Sequence, residues 1–391
     1  MSSAGARLGR ATLKFGLHAA HAFLPTLRHV VVHGFPDSEG NITELLRELP
    51  ARSRYRVIWL VSDQSADVGG VAKHANLRKV RHRSIQGLWY FLTAGLVIFT
   101  HGLYGDLPLV RAKKIVNVWH GDGPKANVLN RPDGRPRVRS HRLVCSTTVF
   151  GRERAREARL PLSGLLHIGN PRTDAMFREV RPDALRAAGI DPSSPFVVWM
   201  PTFRATRGSG LHAKQIDISG DLDETANESM SRHGEIFASR GVQLVVKPHP
   251  LDVESRSISG AVLVDSRVLG EAGLSLYELL GASSGLVTDY SSVWVDYLLL
   301  DRPIAFHVPD EDAYSAGRGL VPPGIFDWLP GERLSTARSV EAFIDEVVLK
   351  GDGAGAARRA AVTAHLGLRR SQTVAADLLD ELSRLGYLKT R

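Results

Sequence analysis

Cysteine is almost absent, with Cys145 standing alone among 391 residues. One thiol permits no internal disulfide and no cysteine-based metal cluster, and a reducing compartment is the fitting one. Long apolar runs are also missing. The longest, Leu88 to Phe99, is about half of the roughly twenty residues a membrane-spanning helix needs, so the chain is not expected to cross a bilayer by itself. No acidic residue precedes Asp37, yet this stretch lacks the apolar core and small-residue cleavage site of a secretory signal. The chain shows no internal repeat at solenoid spacing, and no G-x-G-x-x-G follows a strand, which argues against a nicotinamide cofactor.

What is present is a large apolar fraction, 43%, and a basic balance of 50 Lys and Arg against 41 Asp and Glu, a net +9. At about 100–200 residues per domain this length predicts two domains. The charge suggests an anionic partner and does not choose among nucleic acid, a phospholipid surface and a polyphosphate. Residues 1–28 read as a basic amphipathic segment. On a helix, Leu8, Ala11, Phe15, Ala19, Ala22 and Phe23 form one stripe, and Arg7, Arg10, Lys14, His18 and His21 another beside it. Such a helix suits an anionic membrane surface; a disordered basic tail or a helix docked on its own domain is the alternative, with an organellar transit peptide a weaker one.

From His29 onward, short β-branched runs alternate with helical stretches, the pattern of βαβ units around parallel sheets. Residues 29–33, 55–61, 95–100, 114–119 and 143–146 read as strands of a first sheet, with a helix over 41–49. Pro182, Gly189, Pro192 and Pro195 then break the pattern. A second series follows, with strands at 196–200, 242–247, 261–264, 285–288 and 304–307 and helices at 274–280 and 293–299. The expected fold is α/β and GT-B-like, two Rossmann-like domains over 29–180 and 181–391 whose strand ends face a central cleft. The polar segment 209–234 reads as a surface insertion able to act as a lid.

Three segments carry chemistry at predicted strand ends. In NVWHGDGPK (117–125), His120 directly follows a buried strand, where an imidazole can take a proton from a hydroxyl near neutral pH; a plain turn histidine is the alternative. In VVKPHP (245–250), Pro248 and Pro250 stiffen a loop that offers Lys247 and His249 to phosphate oxygens. In GLVTDYSSVWVDYLLLDRPIAFH (285–307), Ser291 and Ser292 open a helix whose free amides favour an anion. Asp289 beside them is expected to orient a hydroxyl, a backbone amide or a histidine. Arg204 in PTFRAT and Arg318 in SAGRGL are candidate phosphate clamps, and Arg131, Arg135, Arg137, Arg139 and Arg142 are candidates for gathering an anionic acceptor.

Taken in this order, over about residues 29–345, the segments resemble the CDP-glycerol glycerophosphotransferase family, the enzymes of wall teichoic acid and related capsular polymers. The family's W-H-G-T-P-x-K stands here as WHGDGPK, its G-x-P-R-x-D as Gly169 to Asp174, its P-T-[FW]-R as Pro201 to Arg204, and its K-x-H-P as Lys247 to Pro250. Its T-D-Y-S-S-x-x-x-D is matched in full by Thr288 to Asp296, and R-G and P-G elements follow at Arg318-Gly319 and Pro330-Gly331. Two departures adjoin the candidate base: Asp122 stands where the family usually has Thr, and Gly123 intervenes before Pro124.

The resemblance implies attack of an acceptor hydroxyl on the β-phosphorus of CDP-glycerol or a related CDP-alditol, releasing CMP. His120 would be the general base; His249, Ser291, Ser292 and Arg318 would hold the donor pyrophosphate, with Arg204 and Lys247 as helpers. It also implies a lipid-linked anionic polymer as acceptor, a place on the cytoplasmic face of the membrane, and no bound metal or other cofactor. Two readings compete. A GT-B glycosyltransferase using a nucleotide sugar shares the cleft but not the TDYSS turn, and a non-catalytic basic module explains the charge but not the motifs. No recognition helix, RNA-binding aromatic motif or zinc finger supports nucleic acid as the partner.

Overall fold

Val30, Val31 and Val32 are all fully buried, the outer two against one apolar cluster and the middle one against another. A strand buried on both faces belongs to a parallel sheet with helices on each side, and it reads as a continuous apolar run rather than an alternation. This strand, β1 (Leu27–His33), lies in a seven-stranded sheet with β2 (Arg56–Val61), β3 (Leu77–Arg81), β4 (Ala94–Phe99), β5 (Lys114–Asn117), β6 (Arg142–Cys145) and β7 (Leu165–His167). Its order is β3-β2-β1-β4-β5-β6-β7, and the paired strands run parallel.

A second parallel sheet contains β8 (Phe196–Met200), β9 (Gln243–Val246), β10 (Ala261–Leu263), β11 (Gly285–Thr288), β12 (Ile304–Phe306) and β13 (Glu332–Arg333), in the order β10-β9-β8-β11-β12-β13. Strand order reverses between β1 and β4 and again between β8 and β11, the points where open α/β sheets bind ligands. The fold is α/β and GT-B-like, as expected. The structure is a computed structural model. It describes residues 15–67, 69, 73–104, 108–126, 138–201, 232–248, 259–349 and 353–391, the side chains of 313, 317, 318, 346, 347 and 354 excepted.

The helices are α1 (residues 15–23), α2 (Gly40–Arg52), α3 (Ile85–Thr93), α4 (Thr148–Ala158), α5 (Pro182–Ala187), α6 (residues 232–239) and α7 (Ser266–Ala272). They continue as α8 (Leu276–Ala282), α9 (Val293–Tyr297), α10 (Glu311–Arg318), α11 (Ala337–Ala342), α12 (Gly353–Leu366) and α13 (Val374–Arg384). One face of the first sheet is covered by α2 and by α13, the last helix of the chain, whose Leu378, Leu379 and Leu382 are fully buried there. Each such leucine contributes about 1.5–3 kcal/mol by leaving water. The Asp174 carboxylate fixes the start of α13 by accepting from the amides of Val374 (2.7 Å) and Ala375 (2.9 Å). The other face is covered by α3 and α1, with Leu17, Ala20 and Leu24 packed beside Phe91 and Leu92.

Several local features differ from expectation. The apolar run Leu88–Phe99 is divided: α3 ends at Thr93, and Ala94 turns into the extended backbone of β4. β3 was not foreseen because its sequence, LRKVR, is half exposed at the sheet edge, and β7 and β13 are too short to form a pattern. His21, placed in the basic stripe of the N-terminal helix, is instead fully buried and stacked on Phe91 at 5.9 Å. The buried Lys113 ammonium donates to the carbonyls of His21 and Leu92, tying α1 to α3. The proposed lid lies mostly within 202–231, outside the described residues, as do Arg131, Arg135 and Arg137.

Candidate active site

β5 ends at Asn117, whose side-chain oxygen accepts from the Trp119 amide at 2.8 Å. This local turn carries Trp119 at φ +48°, a left-handed conformation unusual for a bulky residue, and Gly121 at φ +129°. Such backbone persists only where surrounding contacts hold it. Here the Trp119 carbonyl accepts from the Asn41 amide group (2.9 Å), and the His120 carbonyl accepts from the Arg172 guanidinium (2.6 Å). His120 is thereby fixed from both sides by the backbone. Its ring lies 4.1 Å from that of Trp119 and is stacked on His101 at 4.2 Å and 7°. Burial, then the charges His101, Arg172, Arg154 and Lys125 would present to it, hold its pKa well below the ordinary imidazole value. It is therefore unprotonated at neutral pH, the form a general base needs.

Arg172 joins the two halves of the molecule. It donates to Asp296 of α9 through Nε (3.0 Å) and Nη2 (2.5 Å), while Asn170 and the Tyr277 hydroxyl donate to the same carboxylate at 3.0 and 2.6 Å. Its own amide donates to Asn41 at 3.1 Å. Glu39 caps α2 beside this network, and burial pushes its carboxyl up to about 7 against the pull of Arg172. The four contacts on the Asp296 carboxylate lie out of water, where charge-assisted bonds are strong and a missing partner is costly.

The two glycines of WHGDG are where the halves touch. A Cβ on Gly123 would sit 2.4 Å from the Ser292 Cβ, and one on Gly121 would sit 2.3 Å from the Arg172 Nη2 and 2.9 Å from the Ser292 hydroxyl. The loop after β5 therefore rests directly on the Ser291–Ser292 turn. Farther on, Val321 donates to the Pro124 carbonyl (2.7 Å) and Ala126 to the Gly319 carbonyl (3.1 Å), a short antiparallel bridge centred on Lys125 and Leu320. Arg154 braces the same loop by donating to the carbonyls of Gly123 and Lys125.

Asp122 points away from this contact. Its carboxylate accepts from the Ser146 amide and hydroxyl (2.6 and 3.0 Å) and the Thr147 amide (3.1 Å), at the turn from β6 into α4. Burial raises its pKa against these bonds. The departure from the family's Thr thus serves the first domain's own turn.

In the second half, the Asp289 carboxylate accepts from the Ser291 amide at 3.3 Å. Ser292 precedes α9, which is only one helical turn and a half before the chain tightens into a 3₁₀ segment at Leu298–Leu300. Neither serine is buried. Lys247 follows β9, separated from β11 by β8; its buried ammonium donates to the Pro248 carbonyl at 2.9 Å, and desolvation lowers its pKa. Arg318 closes α10 next to the Gly319 bridge, its side chain outside the described residues; His249 and Arg204 lie wholly outside them. Among the predicted site residues, the loop that carries His120 meets Ser292 through Gly121 and Gly123, while Lys247 follows a strand that is not adjacent to β11. Arg172 and Asp296 sat inside recognised motifs with no role assigned. His101 carried the same signal as His120, a histidine just past a buried strand, and went unread.

A model of the family described as CDP-glycerol:poly(glycerophosphate) glycerophosphotransferase matches residues 26–368. The teichoic acid poly(glycerol phosphate) polymerase of Bacillus spizizenii is 24% identical over 292 residues, 70% of this chain and 70% of its own length. The teichoic acid glycerol-phosphate primase of the same organism is 28% identical over 53% of each chain, so this match spans about half the length of that relative. Among solved structures, the wall teichoic acid polymerase TagF superposes with a TM-score of 0.64 at 18% identity, covering 91% of this chain and 89% of that one. A UDP complex of Staphylococcus aureus MnaA shares the fold more distantly, with a TM-score of 0.53 at 11% identity over 93% and 98% of the chains.

Proposed function

The chain belongs to the CDP-glycerol:poly(glycerophosphate) glycerophosphotransferase family, and from that premise we propose that it transfers glycerol phosphate, or a related alditol phosphate, from a CDP-alditol to a hydroxyl of a lipid-linked teichoic-acid-type or capsular polymer. His120 takes the proton of the acceptor hydroxyl. The freed oxygen bonds to the β-phosphorus, and the bond from that phosphorus to the bridging oxygen breaks. CMP leaves with the bridging oxygen and its electron pair. Ser291, Ser292, Arg318 and His249 hold the pyrophosphate, assisted by Lys247 and Arg204, and Asp289 fixes the turn. Such a reaction asks mainly for alignment and for charge stabilisation at the phosphoryl oxygens.

The observation that supports this reading most is the seating of Gly121 and Gly123, the neighbours of His120, on Ser292. This seating supports a proton acceptor and an anion-holding turn meeting across the two halves. Purified protein incubated with CDP-glycerol, CDP-ribitol or a UDP-sugar, together with a lipid-linked acceptor, is expected to release CMP only from a CDP-alditol. Consumption of the UDP-sugar alone would establish the glycosyltransferase reading instead. Calorimetric titration should also find CDP-glycerol bound more weakly by Ser291→Ala and Arg318→Ala, and unchanged affinity in both would move the donor elsewhere.

Membrane contact is part of the same proposal. α1 docks one side on the first domain and leaves Phe15 and Phe23 77% and 87% exposed, while Ile85 and Trp89 of the neighbouring α3 are exposed as well. No helix of the described residues is long and apolar enough to cross a membrane. Inserting two phenylalanines is worth about 1.5–3 kcal/mol each, so Phe15→Ser/Phe23→Ser should lower binding to anionic vesicles by at least about tenfold. Equal co-sedimentation of the variant and the parent protein would exclude α1 as the anchor.

A further inference from the structure

We propose that His101 is a positioning residue for His120, its stacked imidazole fixing the plane and the proton-accepting state of the base in place of a carboxylate partner. The inference rests on the reading of His120 as base. A histidine that accepts a proton usually has its other ring nitrogen held by a carboxylate or carbonyl, which sets the tautomer and orientation. The Nδ1 of His120 is buried and has no hydrogen-bond partner among the described residues. Orientation must then come from ring packing, and only Trp119 and His101 supply it among them. Trp119 is tilted by 36°, whereas His101 is parallel within 7°. The parallel ring is the one that defines a plane.

His101 is itself held firmly. It follows β4, next to β1 at the point where strand order reverses. The Phe35 amide donates to the Thr100 hydroxyl at 3.4 Å, and that hydroxyl lies 2.8 Å from His101 Nδ1, so its hydrogen is available to this nitrogen. The Phe35 ring also packs against it in a T-shaped contact at a centroid distance of 5.9 Å. A stack braced in this way costs little to keep in register during the reaction.

The charges around the pair favour two neutral rings. His120 faces His101 at the end of β4, Arg172 from the 3₁₀ segment Pro171–Phe177, Arg154 from α4 and Lys125 farther along its own loop. His101 faces His33 at the end of β1, and burial followed by that neighbour lowers its pKa to about 4. The carboxylates nearby are committed elsewhere: Asp296 to Arg172, Tyr277 and Asn170, Glu39 to the start of α2, and Asp122 to the Ser146–Thr147 turn. A carboxylate behind His120 would raise its pKa and orient it at once. The stack orients it without that rise, and no proton needs to pass to His101.

The test compares His101→Ala, which removes the stack, with His101→Phe, which keeps an aromatic face and cannot titrate. His101→Ala is expected to lower kcat by about tenfold to a hundredfold, the cost of a loosely held base, with KM for CDP-glycerol unchanged. The acidic limb of its pH profile should move to higher pH, because water reaching His120 relieves the desolvation of the imidazolium. His101→Phe is expected to recover most of that loss. Folding is checked by thermal melting, and if His101→Ala melts early the phenylalanine variant alone decides: a loss in it as deep as that expected for alanine overturns the proposal. NMR titration of the His120 ring gives a readout independent of turnover. An unchanged titration and ring-current shift in a folded His101→Ala would overturn the stacking role, whereas a fully active His120→Asn would instead remove the reading of His120 as base.

Discussion

His120→Asn is expected to lower turnover by roughly 10²–10⁴-fold, the usual worth of a general base, while CDP-glycerol binding stays close to that of the parent enzyme. Asparagine fills a similar volume and leaves the backbone contacts of Trp119 and His120 with Asn41 and Arg172 in place. What it removes is a nitrogen able to accept a proton. The donor's proposed ligands sit on the second sheet, so their geometry should survive. Turnover is to be measured with a lipid-linked acceptor at saturating donor, donor affinity by calorimetry, and folding by circular dichroism and melting. Near-normal turnover in a folded variant would remove His120 from the base role. The depressed pKa of this ring carries a sign as well: the neutral, active form persists as pH falls through the ordinary imidazole range, so activity should fade only in more acidic solution.

The second large effect concerns stability. Asp296→Ala strips the partner from the buried Arg172 guanidinium and leaves Tyr277 and Asn170 without their acceptor. Breaking a buried pair from one side typically costs about 3–5 kcal/mol, most of it the penalty of the charge left behind. Denaturant unfolding should therefore show a midpoint well below that of the parent protein. The double variant Arg172→Met/Asp296→Leu should regain part of the loss, since it buries no unpaired charge. Turnover of that double variant should stay low even where stability returns, because the His120 carbonyl has lost its anchor. A loss below about 1 kcal/mol in Asp296→Ala, the range of an exposed pair, would show that the network contributes little.

The parallel sheets were legible because strands covered on both faces are written as unbroken apolar runs, as in Val30–Val32 and Phe196–Met200. The segments expected to carry chemistry were legible for a related reason: a loop that must follow such a strand is easy to place. What stayed hidden depended on contacts distant in sequence. Nothing in LRKVR distinguishes an edge strand from a solvated loop. The run Leu88–Phe99 is apolar on both sides of the helix-to-strand change, so hydrophobicity cannot mark it. Asp122, beside the base in sequence, turns inward to cap residues 24 and 25 positions later. Arg172 and Asp296 are 124 residues apart, and only the fold pairs them.

The place of α13 in the chain order has a consequence for how the molecule can be divided. α13 follows every strand of the second sheet, yet its leucines complete the covering of the first, and Asp174 holds its start. In topological terms the second lobe is an insertion within the first, and no single cut of the chain separates the two. α13 acts as the closing piece of a lobe whose strands all precede the second sheet. During synthesis, the first lobe's apolar face therefore stays unshielded until α13, which is made after every strand of the second sheet, has emerged.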